Sequence, residues 1–157
     1  MEEYIVVNSS DESLVGEIYS ILFRCGINMA RKFLFHWLKP YFKSSIKNDC
    51  DTKQVVLVRD NATGRFTSTF QMYIDKEGNL YVRKIATLPE FEGRGIGKRN
   101  MQYMEAYARA QGCPKVCLDV YKKSSHAIGF YKKNGFAVVG ERKARFFSEY
   151  IMEKAVK

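Results

Sequence analysis

Glu92-Gly93-Arg94-Gly95-Ile96-Gly97-Lys98-Arg99 packs three glycines into five residues. Glycine takes positive φ at little steric cost, so such a turn can bring backbone N–H groups up against a bulky anion. A helix starting at the same point adds free N–H groups and the positive end of its dipole. Arg94, Lys98 and Arg99 add formal charge. The chemistry available to these residues is phosphate or pyrophosphate binding. A P-loop is excluded, because Arg99 stands where Ser or Thr is needed and Glu92 where the upstream glycine is needed. A Gly-x-Gly-x-x-Gly dinucleotide fingerprint is excluded too, because its third glycine is Lys98.

The flanking elements must hold this turn. Leu80 to Thr87 reads as a strand, and Leu88-Pro89-Glu90-Phe91 breaks the extended pattern. Asn100 to Gln111 reads as a helix, with Gly97, Met101, Met104, Ala108 and Gln111 on the face that meets the sheet. Gly112 and Pro114 stop it.

Upstream, Tyr4 to Val7 reads as a first strand, and Asn8-Ser9-Ser10-Asp11 supplies N-cap residues. Leu14, Val15, Ile18, Ile21 and Leu22 recur with helical spacing to about Arg24, where Cys25-Gly26 predicts an end. A second helix is expected from Asn28, with Met29, Phe33 and Trp37 on one face and Pro40 ending it. Arg31, Lys32, Lys39, Lys43 and Lys47 alternate there with Phe33, Phe35, Trp37, Tyr41 and Phe42. Basic residues among aromatics can bind nucleic acid, but this pattern reads as the solvated face of an amphipathic helix. Gln54 to Val58 is a buried-type strand, Asp60 to Arg65 a hairpin turn, and Phe66 to Ile74 an alternating strand. Strands are also expected at Lys115–Tyr121, from Phe136, and from Phe147 to Met152, with a short helix from Ser124 or Ser125 to Lys133.

A length of 157 residues predicts one domain, 1–157. With 46% hydrophobic and 27% charged residues the chain is globular in type. A net charge of +9 favours acidic ligands, coenzyme A or nucleic acid among them. No apolar run is long enough for a membrane span. Cys25, Cys50, Cys113 and Cys117 lack paired metal spacing, so no metal is expected and a reducing cytoplasm is the simplest compartment.

Two motifs together resemble the GNAT superfamily of acetyl-CoA-dependent N-acetyltransferases. Glu92-Gly93-Arg94-Gly95-Ile96-Gly97 is similar to the family's Gln/Arg-x-x-Gly-x-Gly/Ala, departing at its first position, Glu92. Ala127-Ile128-Gly129-Phe130-Tyr131-Lys132-Lys133-Asn134-Gly135-Phe136 is similar to Ala-x-x-Phe-Tyr-x-x-x-Gly-Phe. The resemblance is specific over residues 80–140. It implies an α/β (α+β) fold: a mixed, mostly antiparallel sheet of six to seven strands, splayed at its centre and flanked by about four helices. It implies acetyl transfer from acetyl-CoA to a primary amine, on a small molecule or a peptide, in a monomer or a homodimer. A non-catalytic acyl-CoA-binding module and a basic nucleic-acid-binding domain are the competing readings.

The resemblance also carries residue roles. Backbone groups of Ile85, Ala86 and Thr87 would hold the pantetheine arm and polarise the thioester. Gly93, Arg94, Gly95, Ile96, Gly97 and Lys98 would hold the pyrophosphate, with Ser124, Ala127, Phe130 and Lys133 as further cofactor contacts. Ser124 stands where the family has Asn. Tyr131 matches the tyrosine beside the sulfur that acts as general acid. The base is open: Asp119, Glu92, His126 or a water chain would each serve. Phe23, Met29, Phe33 and Trp37 would line the acceptor site, with the turn at 140–147 on its rim.

Overall fold

A computed structural model describes residues 1–37, 42–143 and 145–157. Its strands are β1 (Glu2–Val6), β2 (Gln54–Asp60), β3 (Phe66–Ile74), β4 (Leu80–Thr87), β5 (Lys115–Tyr121), β6 (Ala137–Lys143) and β7 (Ser148–Ala155). Its helices are α1 (Glu12–Arg31), α2 (Lys43–Thr52), α3 (Ile96–Ala110) and α4 (Ser125–Lys133), with a 3-10 turn at Pro89–Phe91. The strands form one sheet in the order β1-β2-β3-β4-β5-β7-β6. Pairs β1–β2, β2–β3, β5–β7 and β6–β7 are antiparallel, and β4–β5 is parallel. The expected mixed, mostly antiparallel α/β sheet is therefore present, with β7 inserted between β5 and β6. Among the described residues no helix is long and apolar enough to cross a membrane.

The residues group into two compact units, Met1–Met72 with Lys84–Gly97, and Tyr73–Arg83 with Lys98–Lys157. In the first, α1 starts at Asp11, whose carboxylate accepts from the Leu14 N–H at 3.1 Å. Val15, Ile18, Ile21, Leu22 and Cys25 form its buried stripe, packed in one cluster with Val55 and Leu57 of β2 and Ala86 of β4. In the second unit α3 buries Met101, Met104 and Ala108, while Leu80, Val82, Val116, Leu118, Val120 and Met152 are buried along the strands.

The helices before β2 differ from the expectation. α1 does not stop at Cys25-Gly26 but runs through to Arg31. Gly26 is buried mid-helix because the chain returns over it: a Cβ there would lie 3.0 Å from the Trp37 carbonyl oxygen. The glycine marks a close backbone approach rather than a cap. The next helix is α2, from Lys43, and not one starting at Asn28. Phe33 lies beyond the end of α1 with φ 60, so Met29, Phe33 and Trp37 share no helical face. The stop assigned to Pro40, and Lys39 and Tyr41 of the basic-aromatic stretch, lie outside the described residues, as does Ala144 of the 140–147 turn. Gln111 is exposed in the turn after α3 and does not meet the sheet. β3 is buried on both faces from Thr67 to Met72 rather than on alternate residues.

Candidate active site

The first unit carries the end of β4 and the glycine turn. β4 is in register with β5 from Leu80, beside Val116, to Val82, beside Leu118. Two residues further on, Lys84 has φ 50, the left-handed region that a lysine enters only under constraint. The constraint is a buried polar cluster. Lys84 Nζ lies 2.8 Å from Asp49 Oδ2, and Gln71 Nε2 donates to the same oxygen at 3.0 Å. Lys53 Nζ is 3.4 Å from Asp49 Oδ1. The side chains of Lys84 and Asp49 are only 14% and 9% exposed, so the pair is largely out of water. Removing one partner strands the other charge, which costs several kcal/mol. Lys84→Met is expected to lower stability by about 3 kcal/mol, at the low end of that range because Lys53 remains. Lys84→Arg, which keeps the charge, should lose much less. Urea unfolding with an unchanged slope is the measurement, and equal losses in both variants would contradict it.

Past Lys84, Ile85 and Thr87 are half-buried and Ala86 is buried. The Cys25 thiol donates to the Thr87 carbonyl at 3.3 Å, and the Leu88 N–H donates to the Thr67 carbonyl at 2.9 Å, so the strand end is tied to α1 and β3. Burial, with the nearby Glu92 and Glu90 carboxylates adding to it, pushes the Cys25 thiol up to about 12. It is a structural donor and not a nucleophile. Glu90 then clamps Arg24 through both oxygens, at 2.8 and 2.7 Å, and meets Arg65 at 3.3 Å. The Arg65 and Arg94 guanidinium carbons sit 4.7 and 5.3 Å from the centre of the buried Phe91 ring. The turn is thus anchored on its approach side.

The turn itself has the shape the sequence implies. Gly93 and Gly95 have φ 75 and 79, and α3 begins one residue later. Glu92, Gly93, Arg94 and Gly95 are exposed. A Cβ on Gly93 would meet nothing within 4 Å, so open space lies before the backbone there. The first N–H groups of a helix have no partner inside it. Two left-handed residues followed by such a helix start make an anion-binding concavity, and these residues fit a pyrophosphate. Ile96 is buried and Gly97 half-buried, and Lys98 is exposed in the first turn of α3. The Glu92 carboxylate, at the entry of the turn, is exposed as well.

The second unit carries the remaining predicted groups. Tyr131 of α4 is 9% exposed, with the Phe130 and Phe136 rings tilted against it at 5.6 and 5.9 Å. Burial pushes its phenol up to about 12. Ser124 is the buried residue before α4, without a side-chain cap bond. Ala127 and Phe130 are half-buried; His126 and Lys133 are exposed. Asp119 of β5 is not isolated. The Tyr81 hydroxyl of β4 donates to its Oδ1, and Arg142 Nη1 of β6 lies 3.3 Å from its Oδ2. Burial first, and the Asp119 carboxylate second, raise the Tyr81 phenol well above its usual range. Tyr73 stacks on Tyr81 at 5.6 Å.

Of the acceptor candidates, Phe23 is 54% and Phe33 82% exposed, while Met29 is half-buried. Trp37 packs against the core of the first unit. A cavity of about 440 Å³ in the first unit is lined instead by Arg24, Ile27, Asn28, Arg31, Pro89 and Glu90. Sequence reading placed Arg142 only in the rim turn at 140–147, and it missed Tyr81, the meeting of both with Asp119, and the Asp49–Lys84 pair. Only a strand register brings Tyr81 and Arg142 to Asp119, and only tertiary packing brings Lys84, at φ 50, to Asp49.

Comparison with known proteins bears on this arrangement. Residues 15–136 match the acetyltransferase (GNAT) family. The chain is 30% identical over 114 residues to the peptidyl-lysine N-acetyltransferase YiaC of Escherichia coli K12, covering 66% of this chain and 69% of that protein. In structure it is similar to the ribosomal-protein-S18-alanine N-acetyltransferase of Escherichia coli, with a TM-score of 0.78 over 100% of this chain and 95% of that one at 15% identity. It is similar also to the paia N-acetyltransferase of Thermoplasma acidophilum solved with coenzyme A, with a TM-score of 0.79 over 99% of each chain at 18% identity. The family match takes in most of the chain, and we conclude that this protein belongs to the acetyltransferase (GNAT) family and is an N-acetyltransferase whose acetyl donor is acetyl-CoA.

Proposed function

We propose that the acceptor is a lysine side-chain amine on a peptide, and that Asp119 and Tyr131 handle its protons. The observation that carries the cofactor side is the pair of left-handed glycines, 93 and 95, directly before the 15-residue helix α3. Gly93 to Lys98 would hold the pyrophosphate through backbone N–H groups, and Ile85 to Thr87 would hold the pantetheine arm. Ser124, Ala127, Phe130 and Lys133 of the α4 segment would complete the cofactor contacts. The loop does not depend on the side chain at position 92, so Glu92 removes one contact and not the cradle. When bound, acetyl-CoA supplies an acetyl group activated as a thioester.

A lysine amine has a pKa near about 10.4, so it arrives as an ammonium at neutral pH. Asp119 would attract that cation and accept its proton. A backbone N–H at the end of β4 would polarise the thioester carbonyl; a fixed donor of this kind is worth roughly 3 kcal/mol. A C–N bond then forms and the C–S bond breaks. Of the two protons that leave the nitrogen, one is passed to solvent by way of Asp119. The other replaces the proton that Tyr131 gives to the sulfur. The high value of the Tyr131 phenol is compatible with this role, because a thiolate formed in the same apolar surroundings is also raised by burial.

The lysine assignment is supported by the similarity to a peptidyl-lysine N-acetyltransferase. It is supported also by a carboxylate at Asp119 that is only 19% exposed and already faces a cation. Thiol release from acetyl-CoA over amines, free amino acids and blocked lysine peptides tests it. The expected result is turnover on the lysine peptides, with the acetyl group located on the lysine by mass spectrometry. Turnover confined to small amines would overturn the acceptor assignment and leave the family unaffected.

A further inference from the structure

Asp119, Tyr81 and Arg142 lie on one face of the sheet by register. Tyr81 is beside Cys117 in the parallel β4–β5 pair, and Asp119 is two residues further along β5 on the same side. Across β5–β7, Asp119 is beside Ile151 and Tyr121 beside Glu149. Across β7–β6, Glu149 is beside Arg142. The face therefore gathers the Asp119 carboxylate with two donors, Tyr81 and Arg142, and carries the Glu149 carboxylate beside Arg142. Their exposure is unequal: the Asp119 side chain is 19% exposed and that of Arg142 55%. Tyr81 closes off Oδ1 from within the sheet, and the guanidinium covers Oδ2 from the solvent side.

A long side chain on an outer strand can leave such a position without disturbing the sheet. The group it leaves behind is a carboxylate oriented by a phenol, with one oxygen open to a new cation. We propose that Arg142 is a specificity-determining residue: its guanidinium occupies on Asp119 the place of the acceptor ammonium, and a cationic acceptor binds by exchanging with it. The proposal rests on the reading of Asp119 as the group that receives the acceptor. Its physical consequence is that acceptor affinity is set by a competition between two cations. The carboxylate never stands uncompensated, because one cation replaces the other.

Calorimetry with n-butylammonium chloride, which is a lysine side chain without its backbone, reads the exchange without requiring turnover. An ion pair this exposed weakens a competing equilibrium by about fivefold or less. Arg142→Gln is therefore expected to bind butylammonium about three- to fivefold more tightly than the wild type, and the gain should shrink at high salt. Arg142→Lys, which keeps a cation, should stay close to the wild type. The double variant Arg142→Gln with Asp119→Asn should lose the gain. Equal or weaker binding by Arg142→Gln, with its thermal unfolding unchanged, would overturn the proposal, because a merely structural Arg142 predicts that outcome. Thiol release by Asp119→Asn separates the two levels. If Asp119→Asn turns over like the wild type, the Asp119 reading fails and the exchange fails with it. If Asp119→Asn is inactive while Arg142→Gln gains nothing in calorimetry, the exchange alone fails.

Discussion

Gly95→Glu is expected to lower acetyl-CoA affinity at least a hundredfold while leaving the protein folded. Two effects act together. Gly95 has φ 79, and an L-residue held there costs about 1–2 kcal/mol. That strain either opens the turn or moves its N–H groups off the anion. The added carboxylate then faces the diphosphate that the N–H groups would otherwise meet, and like charges in a backbone cradle repel at short range. Gly95 is exposed, so the core is not involved. Gly93→Asn separates the terms. Asparagine tolerates left-handed backbone and brings no charge, and a Cβ at Gly93 meets nothing within 4 Å. Its affinity should fall less than tenfold. Calorimetry with acetyl-CoA measures both, and unchanged affinity in Gly95→Glu would reject this turn as the pyrophosphate site.

Tyr131→Phe is the second large effect. Turnover should fall about a hundredfold or more, since a positioned general acid contributes roughly 10²–10⁴. Affinity for acetyl-CoA should be nearly unchanged. The ring keeps its place because it packs ring to ring on Phe130 and Phe136, at 5.6 and 5.9 Å, and phenylalanine retains that ring. The pH dependence gives a second check. An acid must be protonated to act, and burial moves the Tyr131 phenol from 10.0 up to about 12. Wild-type turnover should therefore show no tyrosine-like decline on going from pH 9 to pH 10.5, where a phenol of about 10 would already lose its proton. Equal turnover in Tyr131→Phe would remove the acid role and leave solvent to protonate the sulfur.

The glycine turn and the segment that carries Tyr131 were legible in advance for one reason: each is a local motif. Gly93, Gly95 and the start of α3 form one local motif: their φ values follow from residue type, and the helix follows from the pattern after Gly97. The α4 segment is legible for the same reason, since Phe130, Tyr131 and Gly135 act within a single turn and its cap. The hairpin at Asp60–Arg65 closes as expected, with Gly64 at φ 71. In α1 the apolar stripe was legible and its length was not. Helical spacing continued past Gly26, and whether a glycine ends a helix or admits a neighbour depends on a carbonyl eleven residues later in the chain.

Residue chemistry by itself determined the left-handed glycine turn, the order of strand, turn and helix around it, and the short helix α4. Each of these rests on preferences within a few neighbouring residues. Tertiary structure alone decided the rest. α2 has weak helix formers and no side-chain N-cap, and it is held by the buried Ile46 and by Asp49, whose partners Gln71 and Lys84 come from other strands. β7 lies between β5 and β6, a choice between edge positions that no local preference makes. Asp119 meets Tyr81 and Arg142 because three strands share a register, and hydrogen bonding between strands is a property of the pair and not of either sequence segment.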